Sequence, residues 1–191
     1  MEKIRELLEK KGYPDTAIAA IMGNIDVETG GSFDYKQKQR LASKKARGLF
    51  QFDPAGKLPD YKRWLKVNKR KDSPTSQVDF FDSTIFGKDR KIVGYGNANK
   101  LQEIIRTGDV PTITQALTDL WFRPGVPHEE RRLESAQNIY NAQDEFPAET
   151  NRLDVYEVGQ VPEYTPATLG NTLLYKVEDM FKWSVLIQYL I

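Results

Sequence analysis

Ile18, Ile21, Met22 and Ile25 recur at helical spacing and the pattern stops at Gly30-Gly31, so the chain has to bury one face of a helix ending near residue 30. Glu28 lies seven residues after Ile21 and three after Ile25, on that same face and away from the solvent side. A glutamate is unusual there. Burial disfavours its charged form and raises its pKa, and the last turn of a helix adds the negative end of the dipole. Two blander outcomes stand beside this one: fraying turns Glu28 outward, or an arginine pairs with it.

A carboxyl that keeps its proton near neutral pH suits the cleavage of a glycosidic bond, because the leaving oxygen must gain a proton as the sugar acquires oxocarbenium character. Glu28 is therefore the candidate catalytic acid. Asp26, two positions away, faces elsewhere on the helix. Asp53 follows a short apolar run and is the candidate second carboxylate, although Asp before Pro is also an ordinary turn signal.

Helical patterns dominate the rest of the chain. Ile4, Leu7 and Leu8 form a short opening helix with Gly12 behind it. Others carry Tyr61, Trp64 and Leu65, then Val78, Phe81 and Ile85 behind a Ser73 cap and Pro74. Leu101, Ile104 and Ile105 mark the next, followed by Ile113, Ala116, Leu117 and Leu120. After the break at Arg123-Pro124-Gly125, a helix from about Pro127 to Asn141 presents Leu133, Ala136, Ile139 and Tyr140. Gly48 to Pro54, short, apolar and bounded by breakers, suits a strand or hairpin arm. Residues 34–47, with Lys36, Lys38, Arg40, Lys44, Lys45 and Arg47, read as an exposed loop or marginal helix, either a solvated charge run or a basic rim for an anionic glycan.

The fold class is thus mainly α, with α+β character: a helical bundle around the helix of Glu28 and one short β-hairpin, spanning residues 1–145. Residues 146–191 form a second part. From Phe146 to Gly170 the chain is rich in Pro, Glu, Thr and Val and reads as an extended linker. The apolar stretch from Leu173 to Ile191 is interrupted by Lys176, Glu178, Asp179 and Lys182, which a membrane span avoids. It reads instead as an amphipathic helix, with residues 170–191 attaching to a partner protein.

Composition removes several function classes. The 28 basic and 27 acidic side chains nearly cancel, so no global field favours nucleic acid. Cysteine is absent and histidine occurs once, which disfavours thiolate catalysis, cysteine-ligated zinc and a zinc peptidase. No metal or cofactor is called for, and His128 reads as a surface residue. The opening Met1-Glu2-Lys3-Ile4-Arg5 is charged where a Sec-type signal has an apolar core.

Gly23-Asn24-Ile25 followed by Glu28-Thr29-Gly30, then Gly48-Leu49-Phe50-Gln51-Phe52, resembles the phage tail lysozyme family of the lysozyme-like superfamily. The likeness continues in Gln77-Val78-Asp79-Phe80 and in Arg123-Pro124-Gly125 with Arg131, Arg132, Ala136 and Tyr140, covering roughly residues 14–141. It implies a mostly helical lysozyme fold, a peptidoglycan substrate and a place on a phage tail or other injected virion component, with Glu28 as the catalytic glutamate. It also implies that Phe50 and Gln51 line the sugar cleft, and it makes Gln77 and Tyr140 candidate substrate-binding residues. Thr29 stands where serine is commoner, Phe52 where tryptophan is, and Phe122 where a glutamate often precedes Arg-Pro.

Two functions follow as expectations. One is a muramidase or lytic transglycosylase that opens peptidoglycan for genome delivery. The other is a structural tail component that keeps the lysozyme fold as a scaffold with weakened catalysis.

Overall fold

A computed structural model describes residues 1–38 and 46–145. The linker and C-terminal helix expected over 146–191, and the attachment role given to 170–191, lie outside the described residues. Among those residues seven α-helices follow one another: α1 (Glu2–Glu9), α2 (Asp15–Thr29), α3 (Lys57–Val67), α4 (Pro74–Ile85), α5 (Tyr95–Thr107), α6 (Val110–Leu117) and α7 (Glu129–Glu145). The mainly helical character expected from the sequence is found. Among the described residues no helix is long and apolar enough to cross a membrane.

α2 is the axis of the bundle, and α1, α5, α6 and α7 all touch it. The apolar stripe understates its burial, because every residue from Ala17 to Ile25 is buried. Ala19, Ala20 and Gly23 occupy the faces between the large side chains, and their small size lets neighbouring helices approach. The closest approach is to α7, where a Cβ on Gly23 would stand 2.6 Å from the backbone of Ala136. α7 runs antiparallel to α2 through this crossing. Beyond it Ser135 donates to Asp26 at 2.9 Å and Arg132 reaches Glu28. The stripe expected on α7 shifts accordingly: Leu133 is 38% exposed, whereas Arg132 is buried beside Ala136 and Ile139.

Aromatic rings fill the other side of the core. Phe50 stacks on Phe81 with centroids 4.8 Å apart, Phe52 packs on Tyr61 at 4.7 Å, and Trp121 meets Phe81 edge-on at 5.0 Å. The buried indole N–H of Trp121 is satisfied by Thr84 Oγ1 at 2.9 Å. α4 begins as its sequence indicates, with Ser73 Oγ accepting from the backbone of Ser76 at 3.1 Å and Pro74 next in line.

No sheet forms among the described residues. Gly48 to Phe52 is a tight loop closed by an antiparallel bridge between Arg47 and Phe52, with a second bridge between Lys38 and Arg47. Residues 39–45, which would complete a hairpin, lie outside the described residues. A strand sends alternate side chains to opposite faces, but Leu49, Phe50 and Phe52 are all buried here. Gly48 (φ 83°) and Gln51 (φ 42°) turn the chain between them. Gln77 pins the loop from below: its Oε1 accepts from the Leu49 N–H at 2.8 Å, and its Nε2 donates to Tyr35 O at 2.8 Å and Asp72 at 2.9 Å.

Charge ties the end of α1 to α4. Lys11 bonds Asp79 at 2.8 Å and Asp82 at 3.2 Å, and Arg70 also bonds Asp79. Burial alone would raise the Asp79 pKa, but the bonds from Lys11 and Arg70 outweigh it and hold it below its ordinary value. A carboxylate depressed in the fold stabilises above its unfolded pKa, and that contribution disappears as pH falls through the folded value.

Gly23→Ala is expected to cost about 1–3 kcal/mol, because the methyl group meets backbone and not a flexible side chain. Gly96→Ala in α5, where a Cβ meets nothing within 4 Å, is expected to stabilise by about 0.5–1 kcal/mol. Urea unfolding of both variants checks the pair; equal midpoints would refute the close crossing. Asp79→Asn is expected to lower the unfolding temperature at neutral pH, with the gap to wild type closing in strong acid.

Candidate active site

Glu28 sits in the last turn of α2, which ends one residue later at Thr29. Thr29 Oγ1 closes that end, donating to Ile25 O at 2.8 Å and accepting from the Phe33 N–H at 3.1 Å. The side chain of Glu28 is 16% exposed and its Oε1 accepts from Arg132 Nη2 at 2.7 Å. The apolar surroundings expected from the stripe are therefore replaced by a guanidinium, the arginine pairing that the sequence left open. Arg132 also donates to Asn24 Oδ1 at 2.8 Å and Pro127 O at 2.6 Å, and its guanidinium lies over the Phe122 ring at 5.5 Å. Glu28 Oε2 has no partner among the described residues, and no buried side-chain oxygen there lacks one. The carboxyl as a whole is partly exposed to solvent.

A groove of about 620 Å³ is lined by Phe50 to Asp53, Lys57, Asp60, Phe122 and Arg123 among others. Glu28 is not one of the lining residues. Two side chains connect it to them: Phe122, beneath the guanidinium that holds Glu28, and Lys57, whose ammonium feels the Glu28 charge.

The far wall is built by a departure from regular helix. Thr118–Phe122 winds as a π-turn, with the Arg123 N–H donating to Thr118 O at 2.7 Å. Arg123 then leaves in a left-handed conformation (φ 48°), and Pro124 has no N–H to offer. The Trp121 carbonyl thus lacks a helical donor. Lys57 Nζ supplies one at 2.5 Å, lying 4.5 Å from the centre of the Trp121 ring. Burial pushes the Lys57 amine down to about 8; Arg123 adds to that shift, while Asp53 and Glu28 oppose it.

Asp53 lines the groove, with Oδ1 accepting from the Ala55 N–H at 2.8 Å in the turn that precedes α3. Gln51 also lines it, its amide donating to Gly48 O at 2.9 Å. Phe50 reaches the groove but is only 3% exposed, with Phe52, Phe81, Trp121 and Phe122 packed around its ring. Phe52, at 1% exposed, has its faces taken by core aromatics in the same way. Gln77 and Tyr140 do not line the groove. Gln77 is buried with both amide atoms bonded to protein, and Tyr140 packs half-buried against the core from α7. Asp26, as expected, turns away from Glu28 to Ser135. His128 is exposed.

Nothing in the local sequence pattern assigns a site role to Lys57, Asn24 or Arg132. Arg132 was findable, since it precedes Ala136 and Tyr140 by one and two helical turns and so shares their buried face. Lys57 was not, because its position depends on the π-turn and on a carbonyl 64 residues away.

No curated protein and no solved structure matches the chain. The family model described as phage tail lysozyme matches residues 1–142, a span that holds Glu28, Arg132 and every residue of the groove. The chain belongs to the phage tail lysozyme family.

Proposed function

We propose that this protein is a virion-associated glycosidase, a muramidase or lytic transglycosylase, which opens bacterial peptidoglycan locally during phage genome delivery. The observation that carries the reading is a partly exposed carboxyl with one oxygen fixed by a buried arginine, linked through Phe122 and Lys57 to a polar groove. In this mechanism Glu28 Oε2 gives its proton to the glycosidic oxygen. The bond electrons leave with that oxygen, and positive charge develops on the sugar. The Glu28 carboxylate then accepts a proton from the group that attacks the anomeric carbon, either water or the C6 hydroxyl of the muramyl residue. Asp53, in the groove wall, is the second carboxylate available to face the developing cation.

The Glu28–Arg132 bond also favours a second reading, in which the pair is a structural tie and the domain binds glycan without cutting it. Glu28→Gln separates the two. The amide keeps the bond to Arg132 but cannot deliver a proton, so the variant is expected to fold normally and to lose about 10²–10⁴-fold in turbidity clearance of purified peptidoglycan. Equal clearance by wild type and variant would remove Glu28 from the chemistry. Mass spectrometry of the products assigns the reaction: reducing ends for hydrolysis, anhydromuramyl ends for transglycosylation.

A further inference from the structure

Lys57 and Arg123 stand together in the groove, and neither forms an ion pair among the described residues. Arg123 is exposed and hydrogen-bonds nothing there through its side chain, whereas Lys57 is largely enclosed. An ammonium has three donors, and Lys57 spends one on the Trp121 carbonyl. The remaining two have no protein acceptor among the described residues, and Lys57 is only partly exposed. Enclosing a cation in this way costs free energy unless a partner offsets it.

The charged groups around the amine are Arg123 after the π-turn, Asp53 before α3, Asp60 within α3, and Glu28 at the end of α2. Neither Asp53, Asp60 nor Glu28 reaches Lys57 as an ion pair. Burial is the main cause of the amine's downward shift to about 8, and the positive charge of Arg123 adds to it. An acceptor with negative charge, placed between the two cations, relieves that repulsion and fills the open donor positions together. A neutral hydroxyl does only the second.

We propose that Lys57 and Arg123 form a subsite for a carboxylate carried on the glycan, so that the groove distinguishes a muramyl sugar, with its lactyl acid, from plain N-acetylglucosamine. This rests on the glycan-cleaving reading for the identity of the polymer. It adds that strands stripped of peptide, whose lactyl carboxylates are free, bind better than strands in which that group is an amide. Lys57 is then a specificity-determining residue, not a catalytic one.

The test is calorimetric titration of the full chain with two disaccharides, N-acetylglucosaminyl-N-acetylmuramic acid and diacetylchitobiose. Neither contains the muramyl linkage that a muramidase cuts, so binding is read without turnover. Wild type is expected to prefer the muramyl sugar by about tenfold or more, the scale of one charge-assisted hydrogen bond. The preference is expected to hold at neutral pH and to fall as pH rises through about 8, where the ammonium loses its proton. Lys57→Gln is expected to bring the two affinities close to each other, and Lys57→Arg to keep them apart. Should Lys57→Gln fail to fold, the exposed Arg123→Gln must still narrow the ratio. Equal affinities in wild type, or a ratio untouched by Lys57→Gln and Arg123→Gln, would overturn the subsite. Wall lysis without sugar preference refutes this inference alone. Preference without lysis refutes the enzymatic reading and leaves the subsite standing.

Discussion

A buried arginine between two helices sets the geometry of everything around it. Arg132 is 2% exposed, and removing a guanidinium from water costs several kcal/mol unless its donors are met. Asn24 and Glu28 meet them from α2, and the Pro127 carbonyl meets another just before α7. These bonds fix α7 in register against α2, because sliding either helix by one residue would leave the charge enclosed and unpaired. The near-contact of Gly23 with Ala136 fixes the same register sterically. Glu28 therefore has two roles in the arrangement. It neutralises the arginine that locks the bundle, and it is the partly exposed carboxyl at the end of α2.

Regular and irregular backbone divide the remaining work. The helices bury the apolar surface and carry the aromatic stack, whereas the groove is walled chiefly by the Gly48–Gly56 loop, the start of α3 and the end of the π-turn. Irregular backbone leaves polar groups without helical partners. Lys57 satisfies one of these at Trp121, and Gln77 satisfies another at Leu49. Both bonds reach far along the chain, so the loop and the turn are held by the core they sit on. Loops fixed in this way can carry precise function.

Helix positions were legible because amphipathic spacing is a local property, and the Ser73 cap and the Gly30 stop lie where the chain itself marks them. Glu28 was legible for the same reason: a carboxylate in phase with isoleucines stands out in one dimension. Its environment was not. Hydrophobic periodicity reports which face is buried but not what comes to meet it, and here the partner is a cation 104 residues away. The Gly48–Phe52 segment was read as extended because short apolar runs bounded by glycine suit strands. What decides against a strand is the buried Gln77, whose side chain takes the Leu49 N–H that a ladder would otherwise use. Leu133 was placed on the buried face of α7 for being apolar, yet Arg132 has the better phase with Ala136 and enough partners to be enclosed.

In the proposed mechanism the asymmetry of the Glu28 carboxyl follows from this packing. Oε1 is occupied by Arg132, so in this mechanism proton exchange falls to Oε2. Once the proton has gone to the leaving oxygen, Arg132 is already in place to stabilise the carboxylate left behind, without reorganisation. The same bond would hinder recapture of a proton at Oε1. The attacking hydroxyl must therefore return its proton to the oxygen that donated the first one, from the same side of the carboxyl. A carboxyl held through one oxygen by a buried arginine that is bonded at all three of its nitrogens thus ties the acid step and the base step to a single point in space. In this reading the polymer lies along the polar groove and reaches that point past Phe122 and Lys57.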